Sequence, residues 1–75
     1  MTRIIFYEWE VGMKKVPFIK LLNKKAGFSL DEAKRMKDKL VDEDSTIEII
    51  IDDELAKQIT EEARQYQVLC KMESI

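Results

Sequence analysis

The stretch KVPFIKLLNKKAGFSLDEAK, residues 15–34, decides the fold because it holds the signals for two helices and the turn between them. Pro17 suits the first turn of a helix, where a missing N–H costs no hydrogen bond, and Gly27 is a typical helix stop. Ser29 and Glu32 form the S-x-x-E pattern of a capping box, which predicts that a second helix begins directly after the serine. The stretch therefore predicts a helical hairpin.

Apolar residues at spacings of three or four predict the buried stripes of three helices. The stripes are Ile19, Leu22 and Ala26; Ala33, Met36 and Leu40; and Leu55, Ile59 and Ala63. Asp52 and Asp53 precede the third stripe and are expected to cap its helix, which should extend to about Tyr66.

Three segments have the β-branched and aromatic composition of strands. They are RIIFYEWEV at residues 3–11, TIEIII at residues 46–51 and VLCKM at residues 68–72. The order of elements is therefore β-α-α-β-α-β. This order predicts an α+β domain over residues 1–75, with a three-stranded antiparallel sheet carrying three helices on one face.

The first strand has two apolar faces, so its composition alone does not select the face that packs on the helices. One face carries Tyr7 and Trp9, and the other carries Ile4 and Phe6. We expect the aromatic row to face the helices. The opposite orientation would leave Tyr7 and Trp9 as an exposed stripe suited to dimerisation or to partner binding.

Charge is distributed unevenly along the chain. The net charge is −2, yet residues 13–39, which we call the basic segment, contain nine Lys and Arg against three acidic residues. The basic segment is therefore +6 and the remainder −8. Such a separation of charge can steer and orient a binding partner.

The composition disfavours an enzyme. The chain has no histidine and a single cysteine, Cys70, which we expect to be a small buried apolar side chain. The acidic run at residues 52–54 is explained by helix capping, so we expect no catalytic, metal or cofactor site. The absence of a disulfide pair, a signal-peptide pattern and a long apolar run predicts a cytoplasmic protein that does not associate with membranes.

The pattern K-V-x-x-I-K followed by G-x-S-L-x-E-A-K, at residues 15–34, resembles the C-terminal domain of the bacterial large-subunit ribosomal stalk protein. That domain has the same order of elements as the one predicted above. In the stalk family the helical hairpin recruits translation GTPases through lysines around an apolar spot. The resemblance implies a non-enzymatic protein-binding module whose partner-binding residues are Lys15, Val16, Ile19, Lys20, Glu32 and Lys34. Asn23 and Asp31 stand where the family commonly carries basic residues.

Residues 61–74, EEARQYQVLCKMES, are similar to the closing segment of the adaptor that delivers N-degron substrates to the Clp protease, which shares the stalk fold. The residues that hold the N-degron amine have no counterpart here. This second resemblance implies an adaptor that docks on a Clp-type ATPase without binding N-degrons. Association with RNA is a third hypothesis, which the lack of stacking aromatics among the lysines and the acidic net charge disfavour.

Overall fold

The elements of the computed structural model, which covers residues 1–75, follow the predicted order β-α-α-β-α-β. Their bounds are β1 Thr2–Trp9, α1 Lys15–Lys24, α2 Leu30–Val41, β2 Ile47–Ile51, α3 Asp53–Gln65 and β3 Val68–Ser74. The fold class is α+β, as predicted.

β1 is the central strand of the sheet, which has the order β2-β1-β3 and is antiparallel throughout. Residues opposite one another on antiparallel strands lie on the same face of the sheet. Phe6 lies opposite Ile47 on one side and Cys70 on the other, and Ile4 lies opposite Ile49. All five are buried, so this face carries the helices and the other face is open.

The orientation predicted for the first strand is wrong for Tyr7. Ile4 and Phe6 are fully buried, whereas Tyr7 is 47% exposed. The pairing of β1 with β3 shifts between Phe6 and Glu8, and such a bulge adds one residue and changes the alternation of faces. Trp9 then lies opposite a fully buried residue of β3 and packs, half-buried, against the core.

All three strands differ from their predicted bounds, β2 only by beginning one residue later, at Ile47. β1 ends at Trp9 because the chain turns there, with the Met13 N–H donating to the Glu10 carbonyl at 3.0 Å. β3 continues to Ser74 because its last residues pair with the start of β1. Pairing across the sheet, which the local sequence does not reveal, sets the limit of β3.

The predicted capping box of α2 and the Asp52 cap of α3 are confirmed, whereas Asp53 does not cap α3 but binds the Thr2 hydroxyl and the N-terminal ammonium. The Ser29 hydroxyl accepts a hydrogen bond from the Glu32 N–H at 3.2 Å, and the Glu32 carboxylate accepts one from the Ser29 N–H at 3.4 Å. Asp52 accepts from the N–H groups of Glu54 and Leu55 at the start of α3. Gly27, between α1 and α2, has a φ of +81°, a conformation that favours glycine.

The helices meet the sheet around a pair of phenylalanines. The rings of Phe6 from β1 and Phe18 from α1 pack edge to face, with centroids 5.3 Å apart and planes at 76°. Both are fully buried in one cluster of fifteen residues that draws on every helix and strand. Every residue of the three predicted apolar stripes belongs to this cluster or packs against it. The core thus fixes α1 and α2 above the sheet and leaves their outer faces in solvent.

Candidate partner-binding surface on the helical hairpin

The positive charge of the basic segment lies on the protein surface. Of its nine Lys and Arg side chains, only Lys25 and Lys37 form ion pairs. The other seven are exposed and have no acidic group within ion-pair distance: Lys14, Lys15, Lys20, Lys24, Lys34, Arg35 and Lys39. The hairpin formed by α1 and α2 therefore presents a concentrated and largely uncompensated positive charge.

Three of the predicted site residues share the outer face of α1. A helix turns by about 100° per residue, which places Val16 and Lys20 together on the side away from the buried Phe18, with Ile19 between them and the core. Val16 is 61% exposed, Lys20 is exposed, and Ile19 is half-buried against the core. An exposed apolar side chain is thus bordered by free lysine charge, since Lys15 is exposed at the start of the same helix.

The α1 face borders a groove between α1 and the end of α3, which we call the α1–α3 groove. Val16, Lys20 and Lys24 line one side of it, and Glu62 and Tyr66 line the other. The Lys25 ammonium lies 2.7 Å from the Glu62 carboxylate and bridges the two helices. The groove therefore combines an apolar and aromatic lining with two unpaired lysines.

The two predicted site residues of α2 lie on opposite flanks of that helix. Glu32 and Lys34 are two residues apart and so point about 160° away from each other. Glu32 lines a second groove, the α2–β2 groove, together with Arg35 and Lys39. Its carboxylate also accepts from the Ser29 hydroxyl at 3.0 Å. Glu32 is thus already engaged in the helix cap, whereas Lys34 is exposed and unpaired.

The six predicted residues consequently do not meet in one groove. Val16 and Lys20 line the α1–α3 groove, and Glu32 lines the α2–β2 groove. The α1 residues form a continuous face, so they make the stronger part of the predicted surface. Lys34 belongs to the α2 flank that also carries Leu30, four residues earlier.

The structure adds residues that the resemblance did not assign to the surface. Leu30, the first residue of α2, is 48% exposed and is the second apolar side chain that the hairpin exposes beside lysines. Lys24 continues the line of Val16 and Lys20 at helical spacing, a pattern that the sequence already contains. Tyr66 joins the groove from the end of α3, which only the tertiary fold reveals.

Asn23 has a structural role at the position where the stalk family commonly carries a basic residue. Its side-chain amide donates to the Phe28 carbonyl at 2.7 Å. This bond closes the turn between α1 and α2, since it joins the last turn of α1 to the residues before Ser29. Asn23 therefore fixes the turn between the two helices.

The described side chains form no metal-binding cluster, and the single cysteine is buried. No group of three or more His, Cys, Asp or Glu side chains is placed to hold a metal ion. Burial raises the pKa of the Cys70 thiol above its ordinary value, which the positive charge of Arg64 only partly opposes. A thiol in this environment is protonated and poorly nucleophilic at neutral pH. None of the three helices is long and apolar enough to cross a lipid bilayer.

The chain matches no known protein family, no curated protein and no solved structure. The resemblance to the stalk domain, and with it the assignment of partner-binding residues, therefore stays a prediction.

Proposed function

We propose that this protein is a non-enzymatic, cytoplasmic interaction module that binds the acidic or amphipathic surface of a protein partner on its helical hairpin. The observation that carries the proposal is the exposed Val16 beside the unpaired Lys15, Lys20 and Lys24, on a hairpin whose positive charge is largely uncompensated. Exposed apolar side chains surrounded by charge are typical of binding surfaces, because burial supplies affinity and charge supplies orientation. Solubility alone would be served by the lysines without Val16 or Leu30.

The partner class that we propose is a translation GTPase. The support is the resemblance of residues 15–34 to the stalk hairpin, which is an argument by analogy. The face formed by Val16, Ile19 and Lys20 is the part of that pattern that stays together on the folded protein. A Clp-type ATPase is the alternative partner, favoured by the similarity of residues 61–74 to the adaptor's closing segment.

Binding to purified proteins separates these classes. The tagged protein is incubated with a translation GTPase, with a Clp-type ATPase and with RNA, and each mixture is repeated after the change Val16→Asp. We expect the wild-type protein to retain the GTPase and the variant to lose it. When ribosomes are added to the GTPase mixture, the wild-type protein should co-sediment with them. Val11→Asp, which alters an exposed apolar residue outside the hairpin, is the matched control.

Retention of the Clp-type ATPase alone would replace the proposed partner by the alternative. A gel shift with RNA that modest salt abolishes would replace both by an RNA-associated role. Binding of the GTPase with equal strength by the wild type and Val16→Asp would contradict the hairpin as the docking surface.

A further inference from the structure

The outer edge of β3 is the longest unpaired backbone edge of the protein. β3 has seven residues and pairs only with β1, so its other edge is open, whereas the opposite edge of the sheet is the five-residue β2. Open edges are templates for pairing with another strand. We propose that a second copy of this chain pairs with this edge, joining two sheets into one of six strands.

The charges of β3 select one antiparallel register for such pairing. On β3, Lys71 and Glu73 lie on the open face and Met72 lies between them on the helix-bearing face. If Met72 lies opposite Met72 of the second copy, Lys71 lies opposite Glu73 in both directions. Moving the symmetry axis by one residue places Lys71 or Glu73 opposite its own copy, which is repulsive.

The same register suits the apolar residues of β3. Met72 is 47% exposed although it lies on the face that carries the helices, because no helix covers it. At the twofold axis between the two β3 strands, Met72 would pack against Met72 of the second copy. Leu69 on the open face would meet Ile75 of the second copy, an exposed apolar residue beyond the strand. Edge β2 offers no comparable match, since its only charged residue is Glu48.

α3, which packs beside β3, carries a second self-complementary pattern of charge. Two shallow grooves run between α3 and β3 and share Lys57 and Met72 as lining residues. Glu54 borders one groove, and Glu61 and Arg64 border the other. These four charged residues are exposed and form no ion pair within the protomer.

The twofold axis that pairs the two β3 strands also sets the two α3 helices antiparallel. If the two antiparallel α3 helices are centred on residue 59, Lys57 lies opposite Glu61 of the second copy. Glu54 then lies opposite Arg64 of the second copy. The Thr60 hydroxyl lies 3.9 Å from the Met72 sulfur, so this level of α3 coincides with the axis at Met72. Helix and strand therefore specify the same twofold arrangement, and a twofold contact closes at a dimer.

The dimer does not depend on the proposed function, because no residue of the hairpin takes part. Sedimentation equilibrium tests it directly. We expect the wild-type protein to dimerise and Lys71→Glu to weaken the dimer by about tenfold or more, since it creates two like-charge pairs. Glu73 also pairs with Arg3 within the protomer, so the exchange is made in an Arg3→Ala background. There Glu73→Lys should weaken the dimer in the same way, and the double exchange Lys71→Glu with Glu73→Lys should restore the association of that background.

Disulfide trapping tests the register. Under mild oxidation, Met72→Cys should form a covalent dimer, because the new thiol faces its own copy, whereas Lys71→Cys should not. Both variants retain the buried Cys70 as a common background. A wild-type protein that stays monomeric at millimolar concentration would overturn the proposal. So would failure of the double exchange to restore association, or equal trapping of the two cysteine variants.

Discussion

Glu32 and Ser29 bind each other reciprocally at the start of α2: each side chain accepts a hydrogen bond from the other residue's backbone N–H. The resemblance to the stalk domain assigns Glu32 to a partner, but the structure engages it in the helix cap. A change at Glu32 would therefore disturb helix and surface together. The cap has to be tested through Ser29, whose side chain lies outside the predicted surface.

We expect Ser29→Ala to lower the free energy of unfolding by about 1 kcal/mol, because it removes the acceptor for the Glu32 N–H. Urea denaturation measures the change. Ser45→Ala is a matched control, since no hydrogen bond of the Ser45 hydroxyl is present. Equal midpoints for the two variants would show that the cap contributes nothing.

Ile49→Ala should lower the free energy of unfolding by about 2–5 kcal/mol, because it removes a buried side chain from the sheet beneath the helices. The neighbouring Ile50 points to the open face and is largely exposed, so Ile50→Ala should cost about 0.5 kcal/mol or less. Parallel urea titrations compare the two. Similar losses would mean that the faces of β2 are assigned wrongly.

The ion pair between Lys25 and Glu62 joins α1 to α3 at a distance of 2.7 Å. Both side chains are about a third exposed, so solvent screens the pair and we expect a coupling energy of about 0.2–1 kcal/mol. A double-mutant cycle with alanine at both positions measures it. The same cycle between Lys24, which forms no ion pair, and Glu62 should give no coupling energy. Coupling energies of equal size in the two cycles would contradict a specific contact between Lys25 and Glu62.

Cys70 should make stability depend on pH in alkaline solution. Burial raises the pKa of its thiol above the ordinary value of about 9, so the unfolded chain loses this proton first as pH rises. The stability that the raised pKa of Cys70 contributes is fully present below pH ~9. It is lost as the pH rises from the unfolded to the folded pKa of the thiol. The urea midpoint of the wild type should therefore fall more steeply through this window than that of Cys70→Ala. Parallel curves would contradict the raised pKa.

The order of elements is predictable from the sequence because each signal is local. The Ser29 cap, the Asp52 cap and the helical spacing of apolar residues need no knowledge of the rest of the chain. The orientation of β1 is different, since both of its faces are apolar. Packing of Phe6 on Phe18 and the bulge at Tyr7 decide it, and both depend on residues distant in sequence.

The candidate surface is likewise predictable from the sequence only in part. Helical spacing alone places Val16, Ile19 and Lys20 on one face, so that part of the surface is predictable from the sequence. The contribution of Tyr66 is not, because it arises from how α3 ends beside α1. Helical spacing also separates Glu32 from Lys34 on α2, but only the tertiary fold sets which of the two lies on the flank facing β2.

The proposed electrostatic docking surface of the hairpin is centred on α1 and the Lys34 flank of α2. Lys20→Glu with Lys34→Glu changes the basic segment from +6 to +2, and Lys and Glu have similar helix propensities, so the fold should persist. Arg35→Glu with Lys39→Glu changes the charge equally but on the α2–β2 groove. It is therefore the matched control for the overall field.

The decisive measurement is the rate of association of each protein with an immobilised translation GTPase at several salt concentrations. We predict that Lys20→Glu with Lys34→Glu slows association by about tenfold or more and that the control slows it clearly less. Wild-type association should weaken as salt shortens the Debye length below about 10 Å. Wild-type rates in the first variant, or equal losses in both variants, would contradict docking on this surface.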